Sequence, residues 1–340
     1  MTNVSAAPAM SVVLIGRNEG ERLVRCLDSV RSMRSPGGEV ELIYVDSAST
    51  DDSPTVAESF GARVIIVRPE RPCAAVGRNA GWRAATAPYV LFLDGDTILH
   101  PDFVAASVGA FADPQVAVVW GHRRELHPEV SIYNRVLDLD WLHPPGVSEF
   151  CGGDALIRRA VLEEVEGYDE RLIAGEEPEM CRRMRGKGYV ILHVDQPMTG
   201  HDLAITRWTQ YWRRAVRTGH AYAEVAQRFR GTELPLWDSE VRRNFTRGAF
   251  LMGFPVAALG ISLVLGSAWP MLALLGFLAA VVLRTSAKAR WRSSDPWTLV
   301  LYALHSHLQQ VPILIGQLCY RYDRWMGRRR GLIEYKELSR

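Results

Sequence analysis

Between residues 11 and 93 short apolar runs alternate with stretches of helical spacing, and this order constrains the fold more than any other feature. Residues 11–15, 41–45, 63–67 and 89–93 each read as a strand. Between them, residues 19–30 carry Leu23, Cys26, Leu27 and Val30 at helical spacing, and 51–60 and 74–85 read as further helices. A β-α-β-α order predicts a mostly parallel sheet with helices on both faces. In such sheets ligands bind at the carboxyl ends of the strands. Asp46 and Asp94 each stand just past the end of a predicted strand, so both are expected on the binding edge.

The fourth strand ends in Asp94-Gly95-Asp96. Two carboxylates one residue apart can reach one divalent cation. Mg²⁺ and Mn²⁺ prefer oxygen ligands and typically take one or two carboxylates together with substrate phosphates. By itself the pattern also fits a solvated turn.

Beyond residue 100 the periodicity weakens. Residues 115–121 read as a strand, 144–146 (Pro-Pro-Gly) as a loop, and 189–194 as a strand ending before Pro197. Residues 206–230 hold Trp208, Tyr211, Trp212, Arg213, Arg214 and Arg217 and are expected to form an amphipathic helix of interfacial character. Residues 249–283 then run for 35 positions without a charge. A single span needs ~20 apolar residues. With a break at Gly266-Ser267-Ala268-Trp269-Pro270, a hairpin of two short helices is expected, with one long tilted helix as the alternative. Arg242, Arg243 and Arg247 precede the run, and Arg284, Lys288, Arg290 and Arg292 follow it, so both flanks ask for the cytoplasmic side. Residues 297–319 are less apolar and read as a third helix before a basic tail, re-entrant or interfacial, with a full span as the alternative.

The expected domains are 10–205 (the α/β domain), 206–246 (the amphipathic region) and 247–340 (hairpin, third helix and basic tail). The expected location is the cell's inner (cytoplasmic) membrane with the catalytic domain in the cytoplasm. No signal peptide is expected at the N-terminus. The formal net charge of +2 gives no argument for nucleic acid as a partner. The five cysteines form no CxxC pair, which argues against a zinc site or a disulfide framework.

Asp94-Gly95-Asp96 has company. Upstream stand Ile15-Gly16-Arg17-Asn18-Glu19, Asp46-Ser47-Ala48-Ser49 and Gly77-Arg78-Asn79-Ala80-Gly81. Downstream stand Gly152-Gly153-Asp154, Gly167-Tyr168-Asp169-Glu170 and Gly175-Glu176-Glu177-Pro178-Glu179. In this order and spacing, over roughly residues 11–225, the chain resembles the family 2 glycosyltransferases of GT-A fold, among them membrane-attached enzymes of exopolysaccharide and cell-envelope synthesis. The resemblance implies a hexosyltransferase-type enzyme with a nucleotide-sugar donor, most often a UDP-sugar, and Mg²⁺ or Mn²⁺ as cofactor. It implies donor contacts from Asn18, Glu19, Asp46, Arg78, Asp94 and Asp96. It makes Asp94 and Asp96 the metal carboxylates, with His201 a further ligand. Glu177 matches the catalytic base, where the family usually has Asp. Gly153 and Asp154 fall on the acceptor side, as do Gln210 and Arg213, from a segment similar to Q-x-x-R-W in which Arg214 replaces the Trp. The implied reaction inverts the anomeric centre in one displacement. The expected partners are the nucleotide-sugar donor, a lipid-linked or glycan acceptor and membrane lipid. A processive polysaccharide synthase subunit and a catalytically inactive nucleotide-sugar-sensing scaffold are the alternatives.

Overall fold

A computed structural model describes residues 8–35, 37–328 and 331. These fall into two compact units. One holds the residues up to 126 and 143–202; the other holds 127–142 and the residues from 203 on.

The first unit opens with β1 (Met10–Gly16), α1 (Glu21–Arg31), β2 (Val40–Asp46), α2 (Ser53–Ser59), β3 (Arg63–Ile66), α3 (Ala74–Ala84) and β4 (Tyr89–Asp94). The four strands run parallel in the order β3-β2-β1-β4. Val12, Val13 and Leu14 of β1 are fully buried, as a strand covered on both faces requires. Gly81 lets α3 lie close on this strand: a Cβ there would sit 2.2 Å from Val13 Cγ1. The register sets Gly16 beside Asp46 and Ile15 beside Asp94, so the carboxyl ends of β1, β2 and β4 are level.

Beyond β4 the sheet becomes mixed. β5 (Thr97–Leu99), α4 (Phe103–Ser107) and β6 (Val116–Glu125) follow. The next helix, α5 (Ile132–Asp140), groups with the second unit. The chain then returns with β7 (Gly146–Ser148), β8 (Ala155–Arg158), α6 (Arg159–Glu164), α7 (Glu176–Gly186) and β9 (Val190–His201). β8 runs antiparallel to both β4 and β6, while β9 is parallel to β6. The strand expected to stop before Pro197 continues to His201. Pro197 has no N–H for the ladder, and it sits where the β6–β9 register shifts, a place that does not ask for one.

The second unit contains α5 with α8 (Trp208–Phe229), α9 (Asp238–Leu265), α10 (Trp269–Lys288), α11 (Pro296–Leu308) and α12 (Gln310–Trp325). Ser131 caps α5, its hydroxyl accepting from Asn134 N at 2.9 Å. Val136, Leu137, Leu203, Ile205 and Tyr211 form a small buried core. Gly266, in the left-handed region at φ 59°, ends α9, and Pro270 sits in the first turn of α10, so the expected break is where the helices part. α9 and α10 are both long and apolar enough to cross a membrane, and they display their apolar side chains: Val264 is 87% exposed and Trp269 76%. The third helix expected over 297–319 is two helices, α11 and α12. Pro312 cannot donate to the carbonyl of Leu308, so one continuous helix would lack that bond; in the first turn of α12 the missing N–H costs nothing.

Candidate active site

The loops after β1 and β2 clasp each other. Asn18 takes a left-handed φ of 53°. Its N–H donates to Ser49 Oγ at 2.9 Å, and its side-chain oxygen accepts from Thr50 N at 2.7 Å. Asp46, 1% exposed, accepts from Ser49 N at 2.7 Å, from Ser49 Oγ at 2.5 Å and from the Tyr44 hydroxyl at 3.2 Å. Its carboxylate therefore holds the turn after β2 in shape. Burial pushes the Tyr44 phenol up, so it remains a donor to Asp46.

Gly95 separates the two aspartates at a close-packed point. A Cβ there would lie 3.0 Å from Glu19 Cγ and 3.2 Å from the Ile15 carbonyl. Glu19 thus lies across the Asp-Gly-Asp turn and pairs with Arg22 at 3.0 Å.

The antiparallel course of β8 brings in the next carboxylate. Ala155 pairs with Phe92, so Asp154 arrives at the end of β4, where its Oδ1 accepts from Asp94 N at 3.0 Å. Its Oδ2 accepts from Arg123 Nη2 at 2.7 Å and Thr199 Oγ1 at 2.8 Å. Arg123 and Thr199 are partners across β6 and β9. Burial raises the Asp154 pKa, with Arg123 opposing it. The end of β9 pairs with β5, Thr97 facing His201, which places His201 Nε2 3.5 Å from Asp96 Oδ1.

Arg78, 2% exposed on α3, is the hub between α3, β4 and α7. Its guanidinium lies 2.9 Å from Asp94 Oδ1, 3.2 Å from Glu176 Oε1 and 3.1 Å from Glu177 Oε1. Asn79 donates to the carbonyl of Tyr168 and to Glu170 Oε1, both at 2.8 Å, so two sequence motifs form one lock. Gly175, in the left-handed region at φ 86°, opens α7 and puts Glu176 and Glu177 in its first turn. Negative charge is favoured there, and Pro178 gives up an N–H that no helical bond needs. Burial and Glu176 lift the Glu177 pKa to about 7, against Arg78. Gly153 is where these groups converge. A Cβ on it would stand 2.5 Å from Arg78 Nη2, 3.0 Å from Asp94 Oδ2 and 3.4 Å from Glu177 Oε1.

Asp94, Asp96 and His201 each offer a ligand atom, all within 4.8 Å of one another. Six oxygen or nitrogen ligands at about 2.1 Å from an ion stand about 3 Å apart as neighbours and about 4 Å apart across it, so these atoms need to close in by at most about half an ångström to hold one. Charge points the same way: Asp94, Asp96, Asp154, Glu176 and Glu177 outnumber Arg78 and Arg123. The residues present fit a divalent cation.

Of the residues expected at the site, Asn18, Glu19, Asp46, Arg78, Asp94, Asp96, Gly153, Asp154, Glu177 and His201 belong to the first unit. Gln210 and Arg213 belong to the second. Gln210 caps α8, its side-chain oxygen accepting from Thr206 N at 3.0 Å and Arg207 N at 2.9 Å, while Arg213 is exposed on the same helix. Arg123, Thr199 and Glu176 were not expected. Thr199 had a signal: it stands two residues before His201, and alternate residues of a strand share a face.

Comparison with known proteins matches residues 11–166 to "Glycosyl transferase family 2" and residues 89–306, well over half of the chain, to "Glycosyl transferase family group 2". The chain belongs to glycosyltransferase family 2. Among curated relatives it is 24% identical over 196 residues to the glycosyltransferase AglE of Haloferax volcanii, covering 54% of this chain and 64% of the relative. It is 22% identical to the probable glycosyltransferase YdaM of Bacillus subtilis, over 67% of this chain and 58% of that protein. The chain thus spans less than two thirds of the length of these relatives. Among solved structures it resembles the mannosyltransferase PcManGT of Pyrobaculum calidifontis, in complex with GDP-Man and Mn²⁺, with a TM-score of 0.63 and 22% identity over 88% of this chain and 87% of that one. That likeness establishes the GT-A fold of the chain.

Proposed function

We propose that this glycosyltransferase moves a sugar from a nucleoside-diphosphate donor, a UDP-sugar in the first instance, to a lipid-linked or cell-envelope glycan hydroxyl at the cytoplasmic face of a membrane, inverting the anomeric carbon. The observation that carries the reading is the convergence at Gly153, where Asp94 and Glu177 both come within 3.4 Å of one point, braced by Arg78.

Asp94 and Asp96, with His201, are the residues to hold Mg²⁺ or Mn²⁺, which when bound supplies positive charge opposite the diphosphate. Asn18, Glu19 and Asp46 shape the edge against which the nucleotide lies. Glu177 accepts the acceptor proton. A carboxylate with a pKa near 7 is half-ionised at neutral pH and still basic enough to take it. The acceptor oxygen forms its bond to the anomeric carbon as the bond from that carbon to the diphosphate oxygen breaks. The nucleoside diphosphate leaves with the electron pair. Arg78 keeps Glu177 in place, and Asp154, held by Arg123 and Thr199, fixes the backbone of Asp94. The exposed apolar faces of α9 and α10 support the membrane location.

The test is a donor panel, UDP- and GDP-sugars included, on detergent-solubilised protein with Mg²⁺ or Mn²⁺, reading nucleoside diphosphate and product stereochemistry. Release with one donor and an inverted single addition is expected. Binding without release from any donor would identify an inactive sensor instead, and polymer from one donor a processive synthase.

A further inference from the structure

The second unit holds a cavity of about 660 Å³ that the reaction above does not use. Three helices meet there: the last turns of α8, the last turns of α12 and the first turns of α9. Its lining is strongly basic. Arg230, Arg242, Arg321 and Arg324 face a single acid, Asp238. Among the described residues these four arginines form no salt bridge, whereas their chain neighbours Arg228 and Arg243 pair with Glu224 and Glu240.

Its level along α9 is informative. The uncharged run begins at Ala249, one helical turn after Phe245 and two turns, about 10 Å, after Arg242. The Arg321 guanidinium sits 5.0 Å from the centre of the Phe245 ring, so α12 brings its arginine to the same level. The polar layer of a bilayer adds roughly 5–8 Å to each side of a ~30 Å hydrocarbon core. Long arginine side chains reach readily through that distance. Trp325, 79% exposed at the rim, has the character of an interfacial anchor.

From this placement we infer that the cavity is a docking site for the phosphate headgroup of an anionic membrane lipid, with the acyl chains lying along α9 and α10. Arginine forks suit phosphate oxygens, and four exposed arginines against one acid give the lining a net positive charge that attracts an anion. The inference rests on the membrane reading of α9 and α10.

Two measurements separate the ideas. First, membranes from cells expressing the full chain are washed with carbonate. Retention in the pellet keeps the membrane reading; release into the supernatant defeats it and this site with it. Second, the purified full chain in neutral detergent is titrated with phosphatidic acid, with diacylglycerol and with inorganic phosphate, and bound lipid is read by native mass spectrometry. Phosphatidic acid should bind at least tenfold tighter than diacylglycerol or inorganic phosphate. R242Q/R324Q should lose at least tenfold in that affinity, R242K/R324K should recover part of it, and R243Q, outside the cavity, should bind as the parent does. If R242Q/R324Q does not fold, the lysine pair and R230Q are compared instead, with R230Q expected to weaken binding. A membrane-retained chain that binds diacylglycerol as well as phosphatidic acid, or arginine variants that bind like the parent, would overturn the site alone. Inorganic phosphate binding as tightly as the lipid would make it a soluble anion's site and overturn the lipid assignment.

Discussion

Each unit of the molecule carries a cluster of charged and polar side chains, and the two are built on opposite principles. In the second unit Asp140 lies 2.8 Å from His305 Nε2, and His305 Nδ1 lies 2.7 Å from the Tyr211 hydroxyl. His305, Arg214 and Arg292 hold the Asp140 carboxyl below its ordinary range against the effect of burial. Here one acid is matched by the groups around it. In the first unit five carboxylates share two arginines, and Glu177 is pushed up to about 7. A balanced cluster offsets the cost of burying its own charges. An unbalanced one costs stability until a cation arrives, which is the mark of a site kept for a ligand.

The largest effect should come from removing the surplus at its centre. Asp96→Ala is expected to lower nucleoside diphosphate release on the order of 10³-fold and to abolish the rise in melting temperature on adding Mn²⁺. Full turnover in this variant would end the metal assignment. Next, Glu177→Gln should cut turnover by roughly 10²- to 10⁴-fold with donor affinity little changed. The parent's rate should climb as pH rises through about 7, because only ionised Glu177 accepts a proton. The stability sign is the reverse. The folded chain holds the Glu177 proton more tightly than the unfolded one, so that contribution is complete below the ordinary value of 4.5 and is lost as pH rises through about 7. A ligand-free melting curve with the opposite slope in the parent relative to Glu177→Gln would contradict the burial argument.

His201→Ala should act more mildly, weakening Mn²⁺ by at least about tenfold while saturating metal restores most turnover, because Asp94 and Asp96 remain to hold the ion. The smallest effect on turnover belongs to the balanced cluster. Asp140→Asn should leave donor turnover within about twofold and lower stability by about 0.5–1.5 kcal/mol, the usual net worth of a hydrogen bond that is only part-buried. A large loss of turnover there would show that the second cluster is more than structural.

The same contrast explains what could be read from the chain. Asp94, Asp96 and Glu177 stand at strand and helix ends marked by glycine, so local pattern reveals them. The parallel strands β1 to β4 were legible for the same reason, since each is a short apolar run between helical periods. Arg123 and Thr199 were not, because their meeting at Asp154 depends on β8 turning antiparallel and β9 running past Pro197, and pairing between distant strands leaves no local trace. Glu176 was visible as a neighbour of Glu177, but its pairing with Arg78 is a property of the packed helices. The division at Gln309 was hidden in a segment whose composition suits one helix, and Pro312 was the residue to weigh.

Gly219 and Gly316 carry a consequence for how the chain is made. A Cβ on Gly219 would stand 2.0 Å from the Ile313 carbonyl, and one on Gly316 2.0 Å from that of Val216, so α8 and α12 touch backbone to backbone. All of α9, α10 and α11 lies between them in sequence. During synthesis the glycine side of α8 therefore waits, uncovered, until the hairpin and α11 have emerged. At roughly 5–20 residues per second, synthesis of that length takes seconds, far longer than forming either helix. Chains stopped at residue 309 should accordingly be cut within α8 by proteases that spare the full-length protein, and on the proposed membrane reading the hairpin would have time to enter a bilayer before α8 and α12 close together.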